Sequence, residues 1–188
     1  SDITIEENDS VVNHLSNGDY AVISDFNGVF DGNGHSLTWG YYKSTSATTW
    51  FTFIYSVKPV ESQDVVTIKN LNVYIESFTN PMYITLVGSI GEGYGNGILE
   101  GKVVFENIDF FNADEGSVSF HGNNHGILGG YVAANVTVKD CNTYLTANSS
   151  GVAGIWFGAM QFDGYKVIFE KVNNYGVFSG ANLGYFFG

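Results

Sequence analysis

Arginine is absent from this chain, which carries seven lysines as its basic residues against 19 acidic residues. The resulting net charge of −12 disfavours nucleic acid as a partner, because nucleic-acid binding needs a basic surface. Anionic membranes are disfavoured for the same reason, and no apolar run reaches the roughly 18 residues that a membrane-spanning helix needs. We therefore expect a protein that neither binds nucleic acid nor inserts into a membrane.

Cysteine is nearly absent as well. Cys141 is the single cysteine, so no intrachain disulfide can form and the redox compartment stays undecided. In the repeat described next, Cys141 shares an apolar position with Leu71, Ile108 and Val172. We therefore expect a buried, inert thiol rather than a reactive one.

One nine-residue pattern occurs four times: VTIKNLNVY at 66–74, VVFENIDFF at 103–111, VTVKDCNTY at 136–144 and VIFEKVNNY at 167–175. The copies begin 37, 33 and 31 residues apart, which indicates a repeated coil with loops of variable length. Apolar residues at the first and third positions are typical of strands with one buried face. Stacked parallel strands place like side chains about 4.8 Å above one another. The repeat therefore predicts a coiled parallel β-sheet rather than helices.

The fourth position of the pattern alternates in charge through the four copies: Lys69, Glu106, Lys139 and Glu170. In an in-register stack each charge lies beside one of opposite sign, so we predict a charge ladder along one outer face. Reversal of Glu106 to lysine would then align three like charges. The fifth position holds Asn70, Asn107 and Asp140, which tolerate the left-handed conformation of a sharp bend. Lys171 in the fourth copy is a weaker bend former.

The ninth position is aromatic in every copy, and the seventh is an amide or carboxylate. The aromatic column comprises Tyr74, Phe111, Tyr144 and Tyr175, and the polar column comprises Asn72, Asp109, Asn142 and Asn173. An outward aromatic column would offer a platform on which surface glycans stack. We favour an internal aromatic stack, because the position is fixed within the coil.

The fourfold pattern and the phrase FNGVFDGNGHSLTW at 26–39 resemble the right-handed parallel β-helix of the pectate-lyase-like superfamily. The resemblance covers nearly the whole chain from Asp19 onward. The GILGG-type repeats also look like β-helical repeats in proteins of bacteria and large DNA viruses. Proteins with this fold include lyases, hydrolases, adhesins, phage tailspikes and other viral surface proteins, so the resemblance implies an architecture without assigning a function.

The predicted architecture is all-β, a single-stranded right-handed parallel β-helix with a short N-terminal capping helix. Residues 1–18 form the cap and residues 19–188 form the β-helix as a single domain. Asp9 or Ser10 is expected to cap the helix, and Gly18 is well placed to end it. A helix there would shield the apolar cross-section of the first coil.

The resemblance also implies what an enzyme of this superfamily would need. A lyase typically uses clustered aspartates to hold calcium and a basic residue, often arginine, to take the proton. A polygalacturonase-like hydrolase would need an N-T-D triplet, paired aspartates, a G-H-G and an R-I-K, and this chain has none of them. The candidate bases are Lys69, Lys102, Lys139 and Lys166. Ordinary surface ion pairing in the charge ladder accounts for the presence of Lys69 and Lys139. We therefore expect no cleavage of uronate polysaccharides.

Two small groups of polar residues are candidate metal ligands. His121 and His125 lie four residues apart in a Gly/Asn loop, where that spacing implies no shared face. Asp109, Asp114 and Glu115 lack the spaced pattern of a calcium loop and read as solvated acids. The sequence therefore predicts no metal, no cofactor and no catalytic residue.

Two functions of different class remain. The favoured one is a non-catalytic structural or adhesive β-helix in a virion or extracellular surface assembly. The alternative is a polysaccharide lyase or glycoside hydrolase of the same fold. The chain closes with Tyr185, Phe186 and Phe187 and with no polar helix over the last coil. We expect these three residues to contact another copy, a different structural protein or a continuation of a longer parent chain.

Overall fold

A computed structural model describes residues 2–5, 12–16, 19–39, 50–76, 78–91, 99–120, 126–160 and 164–188. Every regular element in these ranges is a β-strand. The strands are Ile3–Ile5 (β1), Asn13–His14 (β2), Tyr20–Phe26 (β3), Val29–Asp31 (β4), Ser36–Trp39 (β5), Trp50–Val57 (β6), Val65–Ile75 (β7), Phe78–Ile90 (β8), Leu99–Asn112 (β9), Val118–Phe120 (β10), Gly129–Val132 (β11), Ala134–Lys139 (β12), Asn142–Thr143 (β13), Thr146–Gly154 (β14), Phe157–Met160 (β15), Val167–Glu170 (β16), Asn173–Asn174 (β17) and Val177–Gly184 (β18). Within the described ranges, no helix has the length and hydropathy that a membrane span requires.

The strands form two sheets, and the chain visits them in turn. The first sheet has the order β1-β5-β7-β9-β12-β16, with β4, β13 and β17 beside this path. The second sheet has the order β18-β14-β10-β8-β6-β3-β2, with β11 and β15 beside it. Among the described strands, every pair is parallel except β2 with β3. The predicted coiled parallel sheet is confirmed as a parallel β-solenoid.

The four copies of the pattern lie in register within the first sheet. Val66 pairs with Val103, Val103 with Val136, and Val136 with Val167. Apolar positions point inward, and burial alternates along β7 in the way that a strand with one buried face requires. The inward columns from both sheets form one continuous apolar core.

Each copy bends at its fifth position. The backbone φ angle is 55° at Asn70, 55° at Asn107, 51° at Asp140 and 53° at Lys171. These values lie in the left-handed region, so the predicted bends are confirmed. Lys171 adopts the same conformation although its side chain gives no local hydrogen bond of the kind that helps Asn and Asp.

The capping helix predicted near the N-terminus is not shown. Asn13–His14 form a strand that runs antiparallel to β3, and Ile3–Ile5 add a parallel strand beside β5. Residues 1, 6–11 and 17–18 of the predicted cap, which include Asp9, Ser10 and Gly18, lie outside the described residues. Strand pairing satisfies backbone groups on the edge of the first coil that a helix laid across it would leave unpaired.

Cys141 is buried in the inward column, as predicted. Burial raises the pKa of its thiol from 9.0 to about 12. The neutral thiol is therefore the favoured form. Burial of the neutral thiol contributes to the stability of the fold. This contribution is fully present below the unfolded-state pKa of 9.0 and is lost as the pH rises towards the folded-state pKa of about 12.

We expect Cys141 to be unreactive towards an aromatic disulfide reagent at pH 8 while the protein is folded, because the thiol is both inaccessible and protonated. In denaturant the same reagent should titrate one thiol per chain. The reaction can be followed by absorbance. A native rate close to the denatured rate would show that this column does not face the core.

Candidate functional site

The aromatic column lies on the outside of the coil, so the prediction of an internal stack is wrong. Adjacent ring centroids are 5.1 Å apart for Tyr74 and Phe111, 4.9 Å for Phe111 and Tyr144, and 5.1 Å for Tyr144 and Tyr175. The interplanar angles are 2° to 22°. Each ring therefore turns its faces towards its neighbours. The exposed surface of the column therefore consists mainly of ring edges, together with the outer face of Tyr175, a residue that is 63% exposed.

Side-chain amides form two further columns, and each amide donates to the preceding rung. In the seventh position Asn142 Nδ2 donates to Asp109 Oδ1 at 2.8 Å, and Asn173 Nδ2 donates to Asn142 Oδ1 at 3.0 Å. At the bend, Asn107 Nδ2 donates to Asn70 Oδ1 at 3.0 Å, and Asn70 Nδ2 donates to Asp31 Oδ1 at 2.9 Å. The polar side chains of these columns thus form hydrogen bonds largely with their neighbours in the same column.

The fourth-position charges also lie in register, but their ion pairs are unequal. Lys139 Nζ lies 2.7 Å from Glu106 Oε1, whereas Lys69 Nζ lies 3.2 Å from an Asp31 carboxylate oxygen. The hydrogen bond to Glu106 raises the pKa of Lys139. A hydrogen bond from Asn70 lowers the pKa of Asp31, with smaller contributions from the Asn33 backbone N–H and from Lys69.

Sequence reasoning missed Asp31 as the first member of this charge column. Asp31 pairs with Lys69 in the sheet, and Ser36 pairs with Asn72. The first bend is therefore longer, five residues from Asp31 to Ser36 against three from Lys69 to Asn72. That insertion hides the column from a fixed-spacing comparison. The signal available was the apolar-then-acidic phrase VFD just before the bend.

We expect Glu106 to couple more strongly to Lys139 than to Lys69, because Asp31 already pairs with Lys69. Glu106→Gln, Lys139→Met and the double variant form one thermodynamic cycle, and Lys69→Met replaces Lys139→Met in the matched control cycle. In thermal melting, the loss of Tm in the double variant should differ from the sum of the single losses by a few degrees in the first cycle. In the second cycle the losses of Tm should be nearly additive. Additive losses in both cycles would contradict the pairing.

The last coil differs from the coils before it. Val136 and Val138 are buried, but their counterparts Val167 and Phe169 are partly exposed. Phe186 lies against Phe169, with ring centroids 4.2 Å apart, and is still 38% exposed.

An open cleft of about 450 Å³ lies beside this end of the core. Val177, Phe178, Leu183 and Tyr185 contribute to its lining. Tyr185 Oη accepts a hydrogen bond from the backbone N–H of Asn174 at 3.1 Å. Phe187 packs on Phe157, with centroids 5.8 Å apart. Of the three residues predicted for an assembly contact, Tyr185 and Phe186 are exposed and Phe187 is half-buried.

The candidate catalytic and metal-binding residues that the structure describes are not gathered into one site. Among the described residues there is no group of three His, Cys, Asp or Glu side chains that could hold a metal ion. Asp109 accepts from Asn142, and Asp114 accepts from the Gly116 backbone N–H at 2.8 Å. His121 and His125 lie outside the described residues. Lys102 and Lys166 are exposed on the outer surface.

Comparison with protein-family models, curated proteins and solved structures gave no match. The parallel β-solenoid is therefore established by the structure of this chain alone. Membership of the pectate-lyase-like superfamily and the right-handed winding stay predictions.

Proposed function

We propose that the protein is a non-catalytic structural or adhesive β-solenoid that belongs to an extracellular or virion surface assembly and joins it through its last coil. The observation that carries the proposal is the contrast between the middle coils and the last one. In the middle coils the inward residues are buried. The outward side chains of each column contact the side chain of the same column on the next rung. In the last coil an apolar surface meets solvent.

A rigid, internally satisfied surface suits presentation and assembly. Amides, rings and charges on the first sheet make their contacts along the solenoid axis, from one rung to the next. Such columns hold the coil straight and leave few polar groups in search of a ligand. Exposed apolar surface gathered at one end is typical of a protein contact.

No observation among the described residues favours the alternative, a polysaccharide lyase or hydrolase. Lys69 and Lys139, two of the four candidate bases, are held in ion pairs with Asp31 and Glu106. A catalytic base must instead be positioned against a bound substrate, with groups nearby that stabilise the developing charge.

We expect the purified chain to dimerise as its concentration rises, because two copies can bury their last coils against each other in a closed, two-fold contact. Light scattering should show the mass rising from one chain towards two. The double change Leu183→Ser and Phe186→Ser should keep the protein monomeric, since both side chains are exposed at that end.

Val29→Ser is the matched control, because Val29 is an exposed valine in the first coil. This variant should dimerise like the unchanged protein. A chain that stays monomeric at high concentration, or a dimer that survives the double change, would contradict the proposed role of the last coil.

A further inference from the structure

We propose that the outer face of the first sheet, on the side of the bend that carries the charge column, packs against the same face of a second copy. The two copies are related by a two-fold axis parallel to the solenoid axis. This inference rests on the proposed function in one respect, because it requires an assembly that holds copies side by side.

Three outward columns form this surface, which we name the lateral face. The leading column holds the residue before each copy of the pattern: Val65, Lys102, Asn135 and Lys166. The middle column holds the second residue of each copy: Thr67, Val104, Thr137 and Ile168. The third column is the charge column: Lys69, Glu106, Lys139 and Glu170.

The middle column is β-branched at every rung. Val29 of the first rung extends it, because Val29 pairs with Thr67. Val29 and Ile168 at its two ends are 63% and 46% exposed, and the three residues between them are half-buried. Val65 in the leading column is 49% exposed. Stacked β-branched side chains make a pleated apolar surface on which a second sheet packs, with the two sheets about 10 Å apart.

The two flanking columns are matched to each other rung by rung. The four rungs read Val65 with Lys69, Lys102 with Glu106, Asn135 with Lys139, and Lys166 with Glu170. An acid in the charge column thus always accompanies a lysine in the leading column, and a lysine in the charge column always accompanies an uncharged residue. Four residues of extended strand separate the members of each pair by about 13 Å. Contact within one chain therefore does not explain the match.

A two-fold axis along the middle column does explain it. Such an axis exchanges the two flanking columns and keeps each rung level with its own counterpart. Glu106 of one copy then faces Lys102 of the other, and Glu170 faces Lys166. The lysines of the charge column meet only uncharged residues. Both solenoids run in the same direction, so both last coils point towards the same assembly.

The two lysines of the leading column are free for this contact. Four of the described lysines form ion pairs within the chain: Lys58, Lys69, Lys139 and Lys171. The other two described lysines, Lys102 and Lys166, are exposed, and the described residues provide no ion pair for either. The two-fold contact supplies a carboxylate to each of them.

An antiparallel arrangement of the same two faces fits less well. With all five rungs overlapped it would place Glu106 on Glu106 and Lys69 on Lys139, which are like charges. Shifted by one rung, it would leave Lys102 and Lys166 opposite uncharged residues. The parallel two-fold arrangement is therefore the one that the charges favour.

The lateral face is too small to hold a dimer by itself. Three columns about 6.6 Å apart and four rungs about 4.8 Å apart cover about 400 Å² on each copy. The resulting total of about 800 Å² is below the roughly 1,200 Å² at which stable complexes begin. The contact therefore forms where an assembly raises the local concentration of parallel copies, and not in dilute solution.

Zero-length cross-linking on a surface tests the arrangement. An equal mixture of ordinary and heavy-nitrogen protein, with a C-terminal hexahistidine tag, is held on phosphatidylcholine vesicles that contain nickel-chelating lipid. After treatment with a carbodiimide, mass spectrometry should find mixed-isotope peptides that join Lys102 to Glu106 and Lys166 to Glu170. The amide between Lys139 and Glu106, which lie 2.7 Å apart within one chain, reports the reaction in every sample. The same protein free in dilute solution should lose the mixed-isotope peptides and keep that amide.

Lys166→Glu should lower the yield of the mixed-isotope peptide between Lys102 and Glu106 about fivefold, because it sets two pairs of like charges across the contact. The double change Lys166→Glu with Glu170→Lys should restore this yield. Lys171→Glu is the matched control, since it makes the same charge change at the bend of the same rung, where the side chain is 81% exposed. This variant should leave the yield unchanged.

Three results would overturn the inference. They are the absence of mixed-isotope peptides on the vesicles, mixed-isotope peptides that join Lys139 to Glu106 instead, and a yield that Lys166→Glu leaves unchanged. The tag anchors the protein in place of its last coil. The lateral contact can therefore fail while the proposed role of the last coil stands, and the reverse also holds.

Discussion

Phe105→Ala is expected to lower the free energy of unfolding by about 3 to 5 kcal/mol, the usual cost of removing a large buried ring. Phe105 is fully buried in the middle of the first sheet, between Ile68 and Val138 in register. Its ring centroid lies 6.2 Å from that of Phe157 in the second sheet. The change would open a cavity where the two sheets meet, which neighbouring rungs cannot close without losing register.

Phe111→Ala is the matched control, since it removes the same side chain from the opposite face of the same strand. Phe111 contributes to the outer aromatic column, where ring contacts add roughly 0.5 to 1.5 kcal/mol. Urea unfolding of both variants gives the comparison. Equal losses from the two changes would mean that the inward and outward faces of β9 have been assigned wrongly.

Asn107→Val should destabilise the protein by about 1 to 3 kcal/mol, because a β-branched residue is strained at a φ of 55°. The change also removes the hydrogen bond from Asn107 to Asn70. The effect lies in the backbone of the bend, since Asn107 is not buried.

Asn107→Gly separates the two contributions, because glycine keeps the left-handed conformation and removes only the hydrogen bond. Its loss should be the smaller of the two, about 0.5 to 1.5 kcal/mol in urea unfolding. A glycine variant as unstable as the valine variant would show that the side-chain ladder, and not the backbone conformation, is what the bend requires.

The sequence was sufficient to predict the coil, because a column of like residues appears in it directly. Val66, Val103, Val136 and Val167 occupy one column in the sequence and one column in the structure. The bends at Asn70, Asn107 and Asp140 were also predictable, since few residues tolerate a positive φ. Lys171 shows that the stack imposes this conformation even on a residue that does not favour it.

The side of the aromatic column was predicted wrongly, although the information was present. Leu71 points inward after the bend, and side chains alternate along a strand. Counting from Leu71 places Val73 inside and Tyr74 outside. The error came from treating a fixed position in the repeat as a sign of burial, whereas the repeat fixes only which residues stack.

The short N-terminal strands β1 and β2 could not be predicted from local pattern. A short amphipathic stretch gives a weak helix signal, because a helix of a few turns has a costly nucleus. Pairing of Asn13–His14 with β3 depends on an edge that exists only once the first coil has formed. Likewise, the hydrogen bond from the Asn174 N–H to the Tyr185 hydroxyl joins residues 11 positions apart, and the pattern of strand residues does not predict it.

Amide hydrogen exchange in the dilute and the concentrated protein tests most directly whether the last coil is the contact surface. We expect the protection gained on association to be confined to residues 167–187. Residues 65–75 and 99–112 should exchange equally in both samples. Protection gained over those middle rungs, with residues 167–187 unchanged, would contradict the proposal that the protein joins its partners through its last coil.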